Sequence, residues 1–332
     1  SRAYRWNEDG LAGISDDKGN LCFAIALWNG QDAILKERLF GLTGLQGNHG
    51  EDVKEVYYYL DNTPTHSYMR MLYQYPQAAF PYQELIEENA LRGRNAPEFE
   101  LTDTGIFANG RYFDIFVEYA KAAPDDLLIR VNAVNRGPEA AILHVLPSLW
   151  FRNTWSWGLD DHMPIVRQGT GNLPDNPSIE AEHHTLGNYR LYCEAADDLL
   201  FTENVTNARR LFGAPNATPY VKDAFHDFLV RGNREAVNPA RVGTKAAALY
   251  TRTIAAGEML TLRLRLTRVS SDENTVTGYA PDDQLRTAHA DPFADYDAVF
   301  DLRKQEADEF YAALQPADLD ATPAGDISIT SA

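Results

Sequence analysis

The sequence predicts a mainly β protein: a large antiparallel β-sandwich with a few short helices and a longer helix near its C-terminus. Three observations predict it. Tyr (17) and Phe (15) far outnumber Met (4), a balance that favours sheet over a helix bundle. Period-two alternation recurs along the chain and is cleanest in LTLRLRLT (260–267), where Leu260, Leu262, Leu264 and Leu266 share one face. Turn signals such as NRGP and AAGE separate neighbouring runs, as short antiparallel connections require.

Taken in order, the first twenty residues are polar, and SDDKGN (15–20) reads as a turn before the strand LCFAIALW (21–28). GLTGLQGNHGED (41–52) opens with four glycines in ten residues and is expected to be irregular. KEVYYYL (54–60) reads as a strand from its β-branched and aromatic content. Residues 61–94 form a loop leading into a short helix, with Pro81 placed for N1 and Gly93 for C′. From residue 105 the signal is β throughout. GRYFDIFVEYAK (110–121) alternates, and residues 127–151 are two strands around Asn-Arg-Gly-Pro, with Leu127, Ile129, Val131 and Ala133 on one face. YRLYCEA, LLFTEN and residues 246–269 continue the pattern. Residues 291–314 are helical, with Phe293, Val299, Phe300, Phe310 and Leu314 among the apolar positions, and residues 316–332 have no Lys, no Arg and no periodicity.

A formal net charge of −18 argues against a nucleic-acid groove or an anionic membrane surface as partner and leaves neutral ligands such as sugars unaffected. Cys22 and Cys193 lie in apolar runs and read as small buried hydrophobes. No basic and apolar leader precedes the first strand, and the longest apolar run (22–28) is too short to span a bilayer, so the expected location is cytoplasmic. No cofactor is expected, and the lack of G-x-S-x-G, P-loop and G-x-G-x-x-G motifs argues against hydrolase, kinase and dinucleotide readings in their common forms.

Two stretches carry the candidate site. GNHGEDVKE (47–55) concentrates Asn48, His49, Glu51 and Asp52 on a glycine loop, where they can bond sugar hydroxyls or satisfy the loop's own backbone. No metal is expected there, because His49, Glu51 and Asp52 match no zinc spacing. LWFRNTWSW (149–157) holds Trp150, Trp155 and Trp157 beside Arg152 and Asn153. As an unbroken strand it would put Phe151, Asn153, Trp155 and Trp157 on one face, with Trp150 in the core and Trp155 and Trp157 as an exposed aromatic patch. Asp160, Asp161 and His162 suit a turn or a calcium ion, and the adjacent His183 and His184 give an equally weak signal. Tyr57–Tyr59 with Tyr68, Tyr73 and Tyr75 read as sheet packing, with a few as possible sugar platforms. Arg263 and Arg265 read as a solvated sheet face.

Three long stretches, residues 27–82, 103–141 and LPSLWFRNTWSWG (146–158), resemble the N-terminal part of large bacterial glucosidase-like proteins of glycoside hydrolase family 63. That family includes the processing α-glucosidase that trims mannosyl-oligosaccharides. The resemblance spans roughly residues 4–315. It implies a β-super-sandwich over 1–290, a linker helix over 291–315 and a tail over 316–332 that leads to an (α/α)6 catalytic barrel absent from this chain. In such inverting enzymes two barrel carboxylates stand about 6.5–9.5 Å apart to admit a water. No catalytic residue therefore carries over. The implied partners are the barrel of the same polypeptide and an oligosaccharide, met by Asn48, His49, Glu51, Asp52, Arg152, Asn153, Trp155 and Trp157. Two other functions stay open: a free-standing carbohydrate-binding protein, and a complete glycosidase using Glu51 and Asp161.

Overall fold

The computed structural model describes residues 10–42, 52–92, 95–170, 176–269 and 291–315. Its strands are β1 (Leu11–Ser15), β2 (Leu21–Trp28), β3 (Gly41–Leu42), β4 (Asp52–Val53), β5 (Val56–Asn62) and β6 (Tyr68–Pro76), then β7 (Tyr112–Ala123), β8 (Asp126–Asn135) and β9 (Ala141–Phe151). After these come β10 (Ile165–Gln168), β11 (Ser178–His183), β12 (Gly187–Cys193), β13 (Asp198–Thr202), β14 (Val242–Gly243), β15 (Lys245–Ile254) and β16 (Met259–Val269). The α-helices are α1 (Tyr82–Leu91), α2 (Ala208–Phe212), α3 (Ala224–Leu229) and α4 (Tyr296–Leu314).

The strands form a five-stranded sheet in the order β1-β2-β9-β15-β13 and a nine-stranded sheet in the order β14-β10-β11-β12-β16-β8-β7-β6-β5. A small ladder joins β3 to β4. Pairing is antiparallel throughout the described ladders, as the alternation predicts. The two large sheets face each other across one core. Phe23, Ile25, Leu27, Val145 and Leu149 of the first meet Tyr73, Ile115, Val117, Ile129, Val131 and Leu264 of the second. Each such side chain contributes roughly 1.5–3 kcal/mol on burial.

Both outer faces are also covered, which explains why β2 is apolar at consecutive positions. Ala26, Leu146, Leu200 and Ala247 on the back of the first sheet pack under Phe225 and Phe228 of α3. Tyr68, Ala120 and Leu128 on the back of the second sheet pack under Tyr296, Val299, Phe300 and Ala307 of α4. The Tyr296 hydroxyl donates to the Ile129 carbonyl at 2.5 Å, and Arg130 lies 4.1 Å over the Phe300 ring.

That cover corrects the reading of Arg263 and Arg265 as a solvated face. Arg265 is buried, bonded to Asp126 and Asp295, and Arg263 is half-buried against Glu194 and the rings of Phe293 and Tyr296. Helix α4 supplies the lid that strand periodicity does not reveal. The tyrosine reading divides in the same way. Tyr68, Tyr73 and Tyr75 are buried on the inner strand β6, whereas Tyr58 and Tyr59 are exposed because β5 is an edge strand. Pro81 stands at the N-cap of α1, one place before N1, and Gly93 lies outside the described residues. Among the described residues no helix is long and apolar enough to cross a membrane.

Candidate functional site

Strand β9 stops at Phe151, so the tryptophan-rich stretch is not one strand. Arg152 N–H donates to the Asn20 carbonyl at 2.8 Å, and Asn153 Oδ1 accepts from Ser156 N–H at 3.2 Å and Ser156 Oγ at 2.5 Å. These bonds wind residues 155–157 into a 3-10 turn that Gly158 closes with φ 67°, its N–H donating to the Trp155 carbonyl at 3.1 Å. The expected two-face alternation of residues 150–157 therefore breaks down after Phe151, because the Asn153 side chain bonded to Ser156 and a left-handed glycine turn the chain.

The turn separates its tryptophans. Trp150 is buried, on the back of the first sheet with Cys22 and Ala24. Asn153 is buried and Arg152 exposed. Trp155 is half-buried against the main core, and Trp157 is 66% exposed. Leu159 at 72% and Met163 at 51% extend the exposed apolar surface along the same loop. The expected patch therefore consists of Trp157 with aliphatic neighbours rather than of two tryptophans.

Of the glycine-loop residues, Asp52 begins β4, while Asn48, His49 and Glu51 lie outside the described residues. Asp52 closes a carboxylate triad with Glu98 and Glu100 whose geometry suits a cation. The chain supplies that cation itself. Lys54 Nζ stands 3.0 Å from Asp52, 3.0 Å from Glu98 and 2.8 Å from Glu100. Burial pulls the Lys54 pKa down, but the three carboxylates outweigh it and raise it above the ordinary range. Among the described residues no hydrogen bond, ion pair or ring contact joins Asp52 to residues 152–157.

Sequence reasoning missed a buried polar cluster beside Asp52. Lys36 Nζ donates to Glu55 at 2.6 Å and lies 3.8 Å over the Phe80 ring. Glu55 also accepts from Tyr73 OH at 2.8 Å and Phe40 N–H at 2.9 Å, and Asp32 accepts from Tyr75 and Tyr82 at 3.0 and 3.1 Å. Burial pushes the Glu55 carboxyl up despite Lys36. Because these groups are closed off and mutually satisfied, they hold the start of β5 against β6 and offer no reacting face. Lys36 and Glu55 stand among other charged residues, in KER (36–38) and EDVKE (51–55), so nothing in the sequence sets them apart as buried. Two clefts open among the described residues. One of about 390 Å³ is lined by Trp150 and Lys245 among others, and one of about 730 Å³ is lined by Phe23, Met69, Leu266, Asp16, Asp125 and Tyr189 among others.

A second group of possible metal ligands combines Asp160 and His162 of the loop with His184 of the β11–β12 turn. Asp161 is exposed and points to no partner among the described hydrogen bonds.

No family model matches the chain. Over 353 aligned residues it is 41% identical to the uncharacterized protein YMR196W of Saccharomyces cerevisiae. That match covers 95% of the chain and 31% of the yeast protein, so the chain spans about a third of this relative's length. Among solved structures, a polysaccharide lyase superposes with a TM-score of 0.36 and 11% identity, covering 77% of this chain and 26% of the lyase. A putative aldose 1-epimerase from Escherichia coli K12 superposes with a TM-score of 0.30 and 8% identity, covering 64% and 67% of the two chains. Likenesses this distant carry no argument about what the protein does.

Proposed function

We propose that this chain is a non-catalytic β-sandwich module of a larger carbohydrate-active protein of the inverting α-glycosidase type, with its loops serving a helical catalytic barrel and its oligosaccharide. The observation that carries this reading is the loop after β9. Trp157, Leu159 and Met163 stand mostly in solvent within seven residues, beside a half-buried Trp155 and an exposed Arg152. Single exposed apolar side chains are ordinary, but three within seven residues of one loop make a candidate surface for a partner.

Helix α4 supports the same reading. Leu302, Phe310 and Leu314 repeat at multiples of four along the helix and are exposed, while Tyr296, Val299, Phe300 and Ala307 cover the sheet. The match to one third of a longer yeast protein agrees with a module that works inside a larger polypeptide. The partner that the family 63 resemblance implies is an (α/α)6 barrel following the sandwich.

Hydroxyl-radical footprinting tests it, on the chain alone and joined to whatever its parent gene encodes beyond residue 332. Oxidation of Trp157 and Met163 should fall at least tenfold in the longer protein, and α-glucosidase turnover should appear only there. Equal oxidation in both forms sinks the docking surface. Turnover by the chain alone, lost on Asp161→Asn, would make the sandwich itself the enzyme.

A further inference from the structure

We propose that Asp160, His162 and His184 form a surface site for one divalent transition-metal ion of the zinc class, which staples the loop after β9 to the β11–β12 turn. The three residues come from segments 22 positions apart in sequence, and the fold brings them together. Asp160 Oδ1 lies 3.6 Å from His162 Nδ1, and Asp160 Oδ2 lies 3.9 Å from His184 Nε2. All the candidate ligand atoms fall within 4.8 Å of one another. Zinc bonds of about 2.0–2.2 Å in a tetrahedron place neighbouring ligand atoms about 3.3 Å apart, so side-chain adjustments of about an ångström close the site.

The local structure already holds these groups in place. His162 N–H donates to Asp160 Oδ1 at 2.9 Å, which fixes the carboxylate on its own turn. The His162 and His184 rings stack with centroids 4.4 Å apart, and His184 stacks in turn on His183 at 4.6 Å. His183 is anchored to the fold by Phe151, 5.4 Å away, and its Nδ1 accepts from Thr185 N–H at 3.2 Å. A buried ring thus backs the ligand set.

The other triad of the molecule makes the contrast. Asp52, Glu98 and Glu100 are closed by the ammonium of Lys54, which leaves no place for a metal. Asp160 pairs with two imidazoles and, among the described residues, with no lysine or arginine. Two imidazoles and one carboxylate select zinc, nickel or cobalt over calcium or magnesium, which prefer all-oxygen shells. Three protein ligands at an exposed position leave the fourth coordination site to water or to a group on a partner. Because Trp157, Leu159 and Met163 ride on the stapled loop, a bound ion would also set the orientation of the apolar patch. The site stands on its own geometry and does not depend on the docking reading.

Calorimetric titration of the untagged chain with Zn2+ is the test, with Ca2+ and Mg2+ as comparison ions and Co2+ absorption as a geometric readout. The expected result is one Zn2+ per chain, a tetrahedral Co2+ spectrum, and little heat from Ca2+ or Mg2+. Asp160→Asn, His162→Ala and His184→Ala should each weaken Zn2+ binding roughly tenfold or more. All three positions are on the surface, and an unchanged circular dichroism spectrum will verify folding. No stoichiometric Zn2+ binding overturns the proposal, as does binding that all three variants retain.

Discussion

Arg265 and Asp126 form a forked ion pair, Nε to Oδ1 at 2.8 Å and Nη2 to Oδ2 at 2.5 Å, with the two side chains 2% and 1% exposed. Arg265 Nη1 then reaches Asp295 at 2.6 Å and the Pro292 carbonyl at 2.8 Å, so one guanidinium ties β16 to both β8 and the start of α4. Removing one partner of a buried pair strands the other charge, which costs about 3–5 kcal/mol. We predict that loss for Asp126→Ala in denaturant unfolding. Replacing both residues together, Asp126→Leu with Arg265→Met, should recover much of it. If the single and double variants are equally unstable, the pair is not the source of the effect.

Stability should fall in acid through Glu118. Burial pushes its carboxyl up, but Arg130, Tyr68 and Lys304 outweigh burial and hold it at about 2, against an ordinary 4.5. The folded value is the lower one, so this contribution is complete above the unfolded value and is lost as pH falls from about 4.5 toward 2. The shift corresponds to about 3 kcal/mol. Unfolding free energies at pH 6 and pH 2.5 should differ by less in Glu118→Gln than in the parent chain. Equal differences would remove Glu118 from the account.

The two ends of the tryptophan-rich stretch should behave oppositely on truncation. Trp150→Ala empties a buried site against Cys22 and Ala24 and should cost about 3 kcal/mol. Trp157→Ala should change stability by less than about 0.5 kcal/mol while removing a fluorescence component accessible to acrylamide. A large loss of stability in Trp157→Ala would show that the turn is structural.

Gly243 marks the point where the chain leaves β14 in one sheet for β15 in the other. A Cβ there would stand 2.1 Å from the Thr202 carbonyl oxygen, which already accepts from Thr244 N–H at 3.0 Å. Gly243→Ala should therefore cost about 3 kcal/mol. Gly19→Ala meets no neighbour, and its φ of 68° costs only about 1–2 kcal/mol. Thermal unfolding of both variants distinguishes crowding from backbone strain, and a reversed order would refute the crowding.

Much of the architecture was legible because strand periodicity is local. Residues 260–267 alternate as expected, and the C-terminal helix falls within the predicted segment, beginning at Tyr296. The Asn-Arg-Gly-Pro and AAGE turns separate consecutive strands as expected but carry the chain from one sheet to the other, β8 to β9 and β15 to β16, instead of closing hairpins. Errors came where a second layer covers a sheet or a side chain redirects the backbone, and Tyr68–Pro76, expected to be loop, is strand β6 paired between β5 and β7. Arg265 has the pattern of a solvent-facing residue, and only α4, folded back from thirty residues downstream, makes its position dry. Asn153 and Gly158 end β9, although the aromatic run around them has strand composition.

The sequence by itself determined that the chain is an antiparallel β protein with buried cysteines and a C-terminal helix, since composition and alternation act between neighbours a few residues apart. Only the tertiary structure decided which aromatics face water, that Lys54 fills the Asp52 triad, and that Asp160 and His162 meet His184. Those outcomes depend on contacts between segments far apart in sequence, and such contacts leave no periodicity to read.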